Sequence, residues 1–375
     1  MRSKQLTTWV LTVITLLLAD TVARGQIIHG QPASGGTGAV YTHWKLEADG
    51  GGATEVDQLW APLSGMVPLS ENTEAAFFVS GARSSYDVGS VEAKLGGLSD
   101  ARLQLSRSLD EDRFLLSLGI SLPTGKRELE PVEERQIIET LAASFLDFPL
   151  RRYGEGFGVS LLVGTAAQLG EVNAGVGVQY EYIGAYTPYV GVEDYDPGDL
   201  FNVYAGGDLA RGDVSWSGNV LFTTFVADKI ADAKVIKQAS QLELQLAGVF
   251  DNQRHRLNGL VSYTIRGRNA RYDGNTEDVI ERLKLYGNEF FVSAGYTSIL
   301  ESGWSFGPSM SLKLIEGDEE SFGKSSIFSA AVSAGRQLGE RFAADASLRY
   351  MTGKADDSRL DVSGFQISTG LSASF

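Results

Sequence analysis

Apolar and polar residues alternate along most of this chain in segments of ten to fifteen residues. The clearest example is the last segment, where apolar side chains or Thr occupy every second position from Phe365 to Phe375. A period of two is typical of a β-strand with one apolar face. Similar segments occur at 241–250, 304–314 and 341–350. The pattern therefore predicts an all-β chain.

The polar face of these segments consists largely of Gly, Ser, Ala, Gln and Asn. A soluble β-sandwich would expose that face to bulk water and would carry many Lys and Glu residues there. Small polar side chains opposite a continuous apolar face are typical of a membrane barrel with a crowded, wet interior. Glycine accounts for 44 of 375 residues and proline for only 9, so the glycine excess belongs to regular structure rather than to disordered linkers.

The connections between segments support the same fold. Sixteen candidate strands lie at about 39–48, 57–69, 74–83, 98–108, 112–122, 156–168, 171–183, 199–210, 213–226, 237–250, 254–267, 288–299, 303–315, 325–337, 341–352 and 362–375. Short turns alternate with longer loops, such as 84–97 and 123–155, as in outer-membrane barrels. We predict a transmembrane antiparallel up-and-down β-barrel of about sixteen strands. If residues 26–72 formed an N-terminal plug, fourteen strands would remain.

Aromatic residues of the apolar face cluster near predicted strand ends. The set at the periplasmic ends is Trp216, Phe250, Trp304, Phe342 and Phe375. The set near the opposite ends is Tyr263, Phe290, Tyr350 and Phe365. Membrane barrels place aromatic girdles at both lipid interfaces, so we predict that these residues form the two girdles.

The first 25 residues have the pattern of a secretory signal peptide. Arg2 and Lys4 precede an apolar run at 9–18, which is too short to span a membrane, and small residues flank a cleavage site near Gly25. We expect residues 26–375 to form one barrel domain in the outer membrane of a Gram-negative (diderm) bacterium, with outer-membrane lipid as a partner.

Charge and composition exclude several other functions. The chain carries 32 Lys and Arg against 47 Asp and Glu, a net charge of −15, so it lacks the positive surface that binds nucleic acid. The absence of Cys excludes disulfides and thiolate chemistry. No pairing of the three histidines with a nucleophile is evident from the sequence. We expect no enzymatic activity, no cofactor and no metal ion.

Two stretches resemble known families. Phe375, preceded by alternating apolar residues, resembles the C-terminal signal of Gram-negative outer-membrane barrels, which implies recognition by the outer-membrane assembly machinery. Residues 118–126 resemble the strand-to-loop motif of the outer-membrane family named for the meta pathway of phenol degradation. More loosely, the layout is similar to outer-membrane transporters of fatty acids and aromatic hydrocarbons. These resemblances imply uptake of hydrophobic or aromatic small molecules.

The longest loop contains a predicted helix with acidic residues in its first turn. Its apolar stripe consists of Ile137, Ile138, Leu141 and Phe145. This stripe must be buried, either by folding inward to cap or constrict the lumen or by packing on neighbouring loops at the rim. The two arrangements remain open at this point.

Alternation also assigns ten charged residues to the inner face of the barrel: Lys45, Glu47, Arg102, Glu181, Glu243, Arg266, Lys313, Arg341, Asp345 and Arg349. Opposite charges across a pore would orient ions or polar solutes, although pairing inside a wet barrel is an alternative role. The sequence thus predicts a channel or transporter for passive uptake of a small-molecule solute. The alternative is a non-conducting structural or adhesive barrel that acts through its extracellular loops.

Overall fold

The computed structural model describes residues 32–375 except residues 49, 90, 111, 131, 193, 275, 277 and 321, and the predicted signal peptide lies outside these described residues. In chain order the strands are β1 (Ser34–Ala48), β2 (Ala53–Ser70), β3 (Thr73–Val88), β4 (Val91–Leu98), β5 (Ala101–Leu109), β6 (Phe114–Leu122), β7 (Gly158–Leu169), β8 (Val172–Ile183), β9 (Tyr195–Asp196), β10 (Leu200–Arg211), β11 (Val214–Phe225), β12 (Ala227–Ile230), β13 (Ala233–Lys237), β14 (Gln241–Asp251), β15 (His255–Arg266), β16 (Asn269–Tyr272), β17 (Val279–Leu283), β18 (Glu289–Ile299), β19 (Trp304–Ile315), β20 (Ser325–Leu338), β21 (Phe342–Ala355) and β22 (Leu360–Ser374). A single helix of the described residues, α1 (Glu133–Leu141), lies between β6 and β7. Within the same residues, no helix is long and apolar enough to cross a membrane.

Sixteen wall strands close into an antiparallel barrel, which confirms the predicted fold class. β4 and β5 together form one wall strand, because β4 pairs with the second half of β3 and β5 with its first half. The barrel closes where β1 pairs with β22 along its whole length. Since β1 and β2 both belong to the wall, the alternative of fourteen strands is wrong.

Turns of two to four residues join the wall strands at one end of the barrel, which we assign as the periplasmic end, and most connections at the extracellular end are longer. One expected loop is a strand hairpin instead. The residues predicted to form loop 84–97 continue β3 to Val88 and then form β4 from Val91. The wall therefore rises above the rest of the rim here, and we call this part the raised wall.

Side-chain polarity on the raised wall is opposite to that of the strands below it. Ala93 and Leu95 are buried within the apolar interior, whereas Glu92 and Lys94 form an ion pair with more than half of each side chain exposed. The outer face meets water at this height rather than lipid. The strand pattern keeps its period of two, but its apolar face turns inward.

A second, five-stranded sheet lies at the extracellular end. Its order is β17, β16, β13, β12 and β9. The strands come from the connections between β8 and β10, β11 and β14, and β15 and β18. Three of the predicted long loops are therefore paired with one another in one folded layer.

The outer face of the wall is apolar over its middle part. Leu59, Leu103 and Leu161 are typical, with 48%, 47% and 45% of their surface exposed. A continuous apolar band of this kind is unfavourable in water, and the closed sheet leaves no strand edge unpaired in hydrocarbon. The outer face therefore fits the interior of a bilayer, and the chain is a membrane-spanning β-barrel.

Candidate functional site: the inward loop and the lumen

The longest loop, between β6 and β7, enters the barrel through a narrow neck. Gly125 and Gly154 meet at this neck, and a Cβ atom added to Gly125 would lie 2.1 Å from the carbonyl oxygen of Tyr153. Glycine is therefore the residue that permits this approach. Gly125, one of the two glycines within residues 118–126, thus has a steric role at the base of the loop.

Asp100 fastens the neck to the barrel wall. It follows β4 in the interruption before β5, and only 8% of it is exposed. Its carboxylate accepts hydrogen bonds from the backbone N–H groups of Gly125 at 2.8 Å, Glu155 at 2.6 Å and Gly156 at 3.0 Å. We call this carboxylate and its three N–H donors the loop latch, because it ties both ends of the loop to one point.

Helix α1 packs against the raised wall. Ile137 and Leu141 are fully buried, and Ile138 is partly buried against the same cluster. Glu133 and Glu134 occupy the first turn, where the helix dipole stabilises negative charge. The predicted apolar stripe therefore faces the interior of the barrel rather than the extracellular loops alone.

After the helix, the chain continues as an apolar segment inside the barrel. Phe145, Leu146 and Phe148 are buried, and the ring of Phe145 stacks on Phe322 with their centroids 5.3 Å apart. Trp44 of β1 donates a hydrogen bond from Nε1 to the carbonyl oxygen of Leu146 at 2.7 Å. This segment therefore fills the part of the lumen next to β1.

Hydrogen bonds hold the returning part of the loop against β2 and β3. Gln58 donates from Nε2 to the Leu150 carbonyl oxygen at 2.7 Å and accepts the Leu150 N–H at 2.9 Å. The hydroxyl groups of Tyr153 and Ser84 lie 2.9 Å apart. Because Gln58 and Ser84 are fully buried, each requires such a partner. These bonds favour one defined position of the loop.

Lys313 of β19 anchors the loop from the other side. Its Nζ donates to the Ser144 carbonyl oxygen and to Asp147 Oδ1, both at 3.1 Å, and lies 3.4 Å from Glu289 Oε1. Burial alone would raise the pKa of the Asp147 carboxyl, but the positive charges of Lys313 and Arg151 hold that pKa below its usual value. Asp147 is therefore ionised at neutral pH and attracts Lys313.

The extracellular half of the inner surface is divided into two sectors. The apolar sector, beneath the loop, comes from β19–β22 and β1–β4 and includes Trp44, Leu46, Val56, Leu95, Ile315, Ile327, Met351 and Val362. The polar sector comes from β8–β15 and includes Gln179, Asn202, Thr223, Glu243, Gln245 and Thr264. Toward the periplasmic end the inner face carries many Gly, Ser and Ala residues, which leave more space in the lumen.

The structure places most of the predicted lumen charges on the inner face. The inward residues are Arg102, Glu181, Glu243, Arg266, Lys313, Asp345 and Arg349, while Arg341 lies in the periplasmic turn before β21. Glu289 connects two of them, because it lies within 3.5 Å of both Arg266 and Lys313. Arg102 forms no ion pair with any described residue.

The assignment of Lys45 and Glu47 to the lumen is wrong. His43, on the same face of β1, packs against the outward-facing Phe365 with ring centroids 5.2 Å apart, whereas Trp44 contacts the inward loop. Lys45 and Glu47 therefore lie on the outer face, where their side chains form a 2.6 Å ion pair. The reason is the inverted polarity of the raised wall, which extends to the upper end of β1.

Several functional candidates were not predicted from the sequence. Glu289 was accessible to prediction, because it alternates with the outward-facing Phe290. Asp100 and Asp147 lie in irregular segments, where no periodicity indicates which way a side chain faces. Only the folded arrangement brings them to the neck and to Lys313.

One pair of a histidine and an aspartate was also not predicted from the sequence. His43 Nδ1 lies 2.9 Å from Asp57 Oδ1, and the Tyr41 hydroxyl donates to the same oxygen. This group lies on the outer wall, away from the lumen. Across the residues that the structure describes, no three His, Asp or Glu side chains are grouped closely enough to hold a metal ion.

The five aromatic residues predicted for the periplasmic girdle all lie near that end of the wall. Phe342 and Phe375 pack edge to face with their ring centroids 6.2 Å apart. Trp304 lies beneath the Arg336 guanidinium, 5.0 Å from its central carbon. Trp216 is half exposed and lies opposite Gly248 of β14, and Phe250 lies two positions from Gly248 on the same strand. Their role as a membrane girdle stays a prediction.

The fold and the lumen together define a class, a membrane-spanning barrel narrowed by an inward loop. No protein-family model matches this chain, and no curated protein matches it. Among solved structures it is similar to the CymD monoaromatic hydrocarbon channel, with 12% identity, 92% of this chain and 89% of that chain covered, and a TM-score of 0.45. It is also similar to OprD of Pseudomonas aeruginosa, with 12% identity, 94% and 99% covered, and a TM-score of 0.44. The anion-selective porin of Comamonas acidovorans has 14% identity, with 92% and 100% covered and a TM-score of 0.41.

Proposed function

We propose that this protein is a passive channel of the outer membrane and that small solutes cross it between the inward loop and the polar sector. The observation that carries the proposal is the division of the upper lumen. The loop packs on an apolar sector, while the opposite sector presents amide, hydroxyl and charged groups. Sixteen-stranded barrels ordinarily leave an aqueous path, and such a polar lining supports one here.

The lining also bears on the class of solute. Arg102 and Glu181 lie on neighbouring parts of the inner face, separated by small residues such as Gly119 and Ser160. Opposite charges at this height favour small polar or charged solutes. The hydrophobic or aromatic solute implied by the sequence resemblance is the second candidate, supported by the apolar sector that the loop covers.

Location and assembly complete the proposal. The apolar outer wall supports insertion in an outer membrane, and the pattern of residues 1–25 supports export with cleavage near Gly25. Alternating apolar residues in β22 precede Phe375, and this pattern supports the role of Phe375 as the signal read by the assembly machinery.

Single-channel conductance in a planar bilayer tests the channel. The refolded mature chain is compared with a variant that lacks residues 128–147, and a control variant shortens the connection between β16 and β17 of the extracellular sheet. We expect a small conductance from the parent and the control, and a several-fold larger conductance from the loop deletion, because the deleted segment fills the apolar sector.

The outcomes separate the candidate functions. A silent parent that conducts after the deletion would make the loop a complete gate and would still support transport. If parent and deletion variant both stay silent while folded and inserted, the channel proposal fails. The non-conducting barrel that acts through its extracellular sheet would then take its place.

A further inference from the structure

The extracellular sheet and the inward loop are joined by the connection between β19 and β20. We call this connection the strap and define it as residues 316–320 and 322–324. Its Phe322 is partly buried against the apolar interior, where its ring stacks on Phe145 of the inward loop with the centroids 5.3 Å apart. The strap therefore contacts the segment that narrows the lumen.

Ion pairs hold another part of the strap to the extracellular sheet. Arg271 of β16 donates two hydrogen bonds to the Glu320 carboxylate, at 2.7 and 2.8 Å. Arg268, just before β16, donates to the Glu319 carboxylate at 2.5 Å. These four side chains are between 35% and 60% exposed. Dissolved salt therefore screens both pairs, as it does other exposed charges.

A closed turn connects these ion pairs to Phe322. The Asp318 N–H donates to the Phe322 carbonyl oxygen at 2.8 Å, and the Phe322 N–H donates to Asp318 Oδ1 at 2.9 Å. Glu319 and Glu320 lie between these two residues, inside the turn. A displacement of the two glutamates from the sheet would therefore also move the ring that stacks on the inward loop.

The sheet reaches the inward loop by a second route, which consists of backbone hydrogen bonds. Tyr195 of β9 and Tyr186 exchange two such bonds, at 2.9 and 3.1 Å. Farther along the same connection, Pro188 accepts the N–H of Leu129, and Val190 donates to the Leu129 carbonyl oxygen, both at 3.1 Å. These bonds join neutral groups, which salt does not screen. Salt thus acts on the strap and not on this second route.

We propose that the strap makes the inward loop sensitive to ionic strength. In dilute surroundings the ion pairs hold the strap to the sheet and Phe322 against Phe145, so the loop stays packed. The Debye length falls from about 30 Å at 0.01 M salt to about 3 Å at 1 M. At high salt the strap separates from the sheet more often, Phe322 leaves Phe145, and the loop moves out of the lumen. This regulation rests on the proposed channel function, because only a conducting barrel changes its flux when the loop moves.

Labelling of a single introduced cysteine with a maleimide measures loop release independently of conductance. The chain has no cysteine, and L146C places one at a fully buried position of the inward loop. In this background, R271Q removes a strap ion pair, and the matched control R254Q removes an exposed periplasmic pair. At about 0.01 M salt we expect R271Q to be labelled about three-fold faster than the background, the order expected when one exposed pair of a network is lost. At about 1 M salt this ratio should fall to about one, and R254Q should match the background at both salt concentrations.

Equal labelling of R271Q and the background at low salt would overturn the proposal. A difference that persists at high salt would also overturn it, because the contact would then act through packing rather than charge. E320Q removes the other partner of the same pair and should reproduce R271Q, so the test does not depend on the folding of one variant. A folded but silent barrel whose labelling follows salt would support the strap and contradict the channel, whereas a conducting barrel whose labelling ignores salt would do the reverse.

Discussion

The loop latch offers the sharpest test of how the lumen is narrowed. Replacing Asp100 with Ala removes the acceptor for three backbone N–H groups, those of Gly125, Glu155 and Gly156. The substitution leaves the apolar contacts of the loop unchanged. We expect the barrel to fold, because each wall strand keeps its pairing, while the loop separates from the wall more often.

The size of the effect follows from these three bonds. A hydrogen bond to a charged group contributes about 1.5–3 kcal/mol, and an unsatisfied buried donor costs about 1–3 kcal/mol. Water in the lumen would satisfy part of the freed N–H groups, so we take about 3 kcal/mol for the whole latch. This corresponds to roughly a hundredfold change in the ratio of packed to detached loop.

Two measurements report this ratio. Single-channel recordings of D100A should show frequent transitions to a larger conductance, and added protease should cleave the loop much faster than in the parent. The control is D213A, in an exposed periplasmic turn. If D100A conducts and resists protease as the parent does, the latch does not hold the loop and the reasoning is refuted.

Three further predictions follow from the contacts of the loop and the lumen. Trp44→Phe should loosen the loop by only about 1 kcal/mol, because it removes one neutral hydrogen bond, and protease cleavage should rise by less than tenfold. The ionised Asp147 stabilises the packed loop fully above its ordinary pKa of about 3.9, and this stabilisation is lost as pH falls through the lowered pKa. Conductance of the parent should therefore stay constant from about pH 7 to 5 and rise only below about pH 4. Lys313→Met should already show a raised conductance at about pH 7, because the packed loop has then lost the ion pair with Asp147. An unchanged pH profile in that variant would contradict the assigned ion pair. Arg102→Gln should shift the reversal potential in a salt gradient toward cation selectivity, and Glu181→Gln should shift it toward anions; shifts of the same sign would show that neither charge lines the path.

The barrel itself was predictable, because the membrane imposes one rule on every strand it surrounds. Where lipid lies outside, the apolar face must point outward, so the alternation in β22 or β19 determines both strand and facing. The same rule also gave the inward positions of Arg102 and Glu243. The strand count followed from the alternation of short and long connections, which the structure repeats except between β1 and β2, between β3 and β4, and between β21 and β22.

The upper ends of β1–β4 could not be predicted by this rule. Lys45 and Glu47 have the expected period, but water lies outside them, and an apolar loop packs on the inner face at Trp44 and Leu46. Periodicity alone does not reveal whether the apolar face of a strand points inward or outward. The position of the loop depends on contacts across the barrel, such as Lys313 with Asp147, which are 166 residues apart in sequence.

The pairing of β1 with β22, which closes the wall, can occur only late in the synthesis of this chain. Strand β1 finds its second neighbour only in β22, and the contacting side chains of Thr42 and Gln366 are 324 positions apart. At synthesis rates of about 5–20 residues per second, the two strands emerge roughly 15–65 s apart. During that interval β1 has a free edge, which is a template for misassembly with other chains. Successful maturation thus requires the early part of the chain to be kept from pairing until the fifteen residues of β22 arrive.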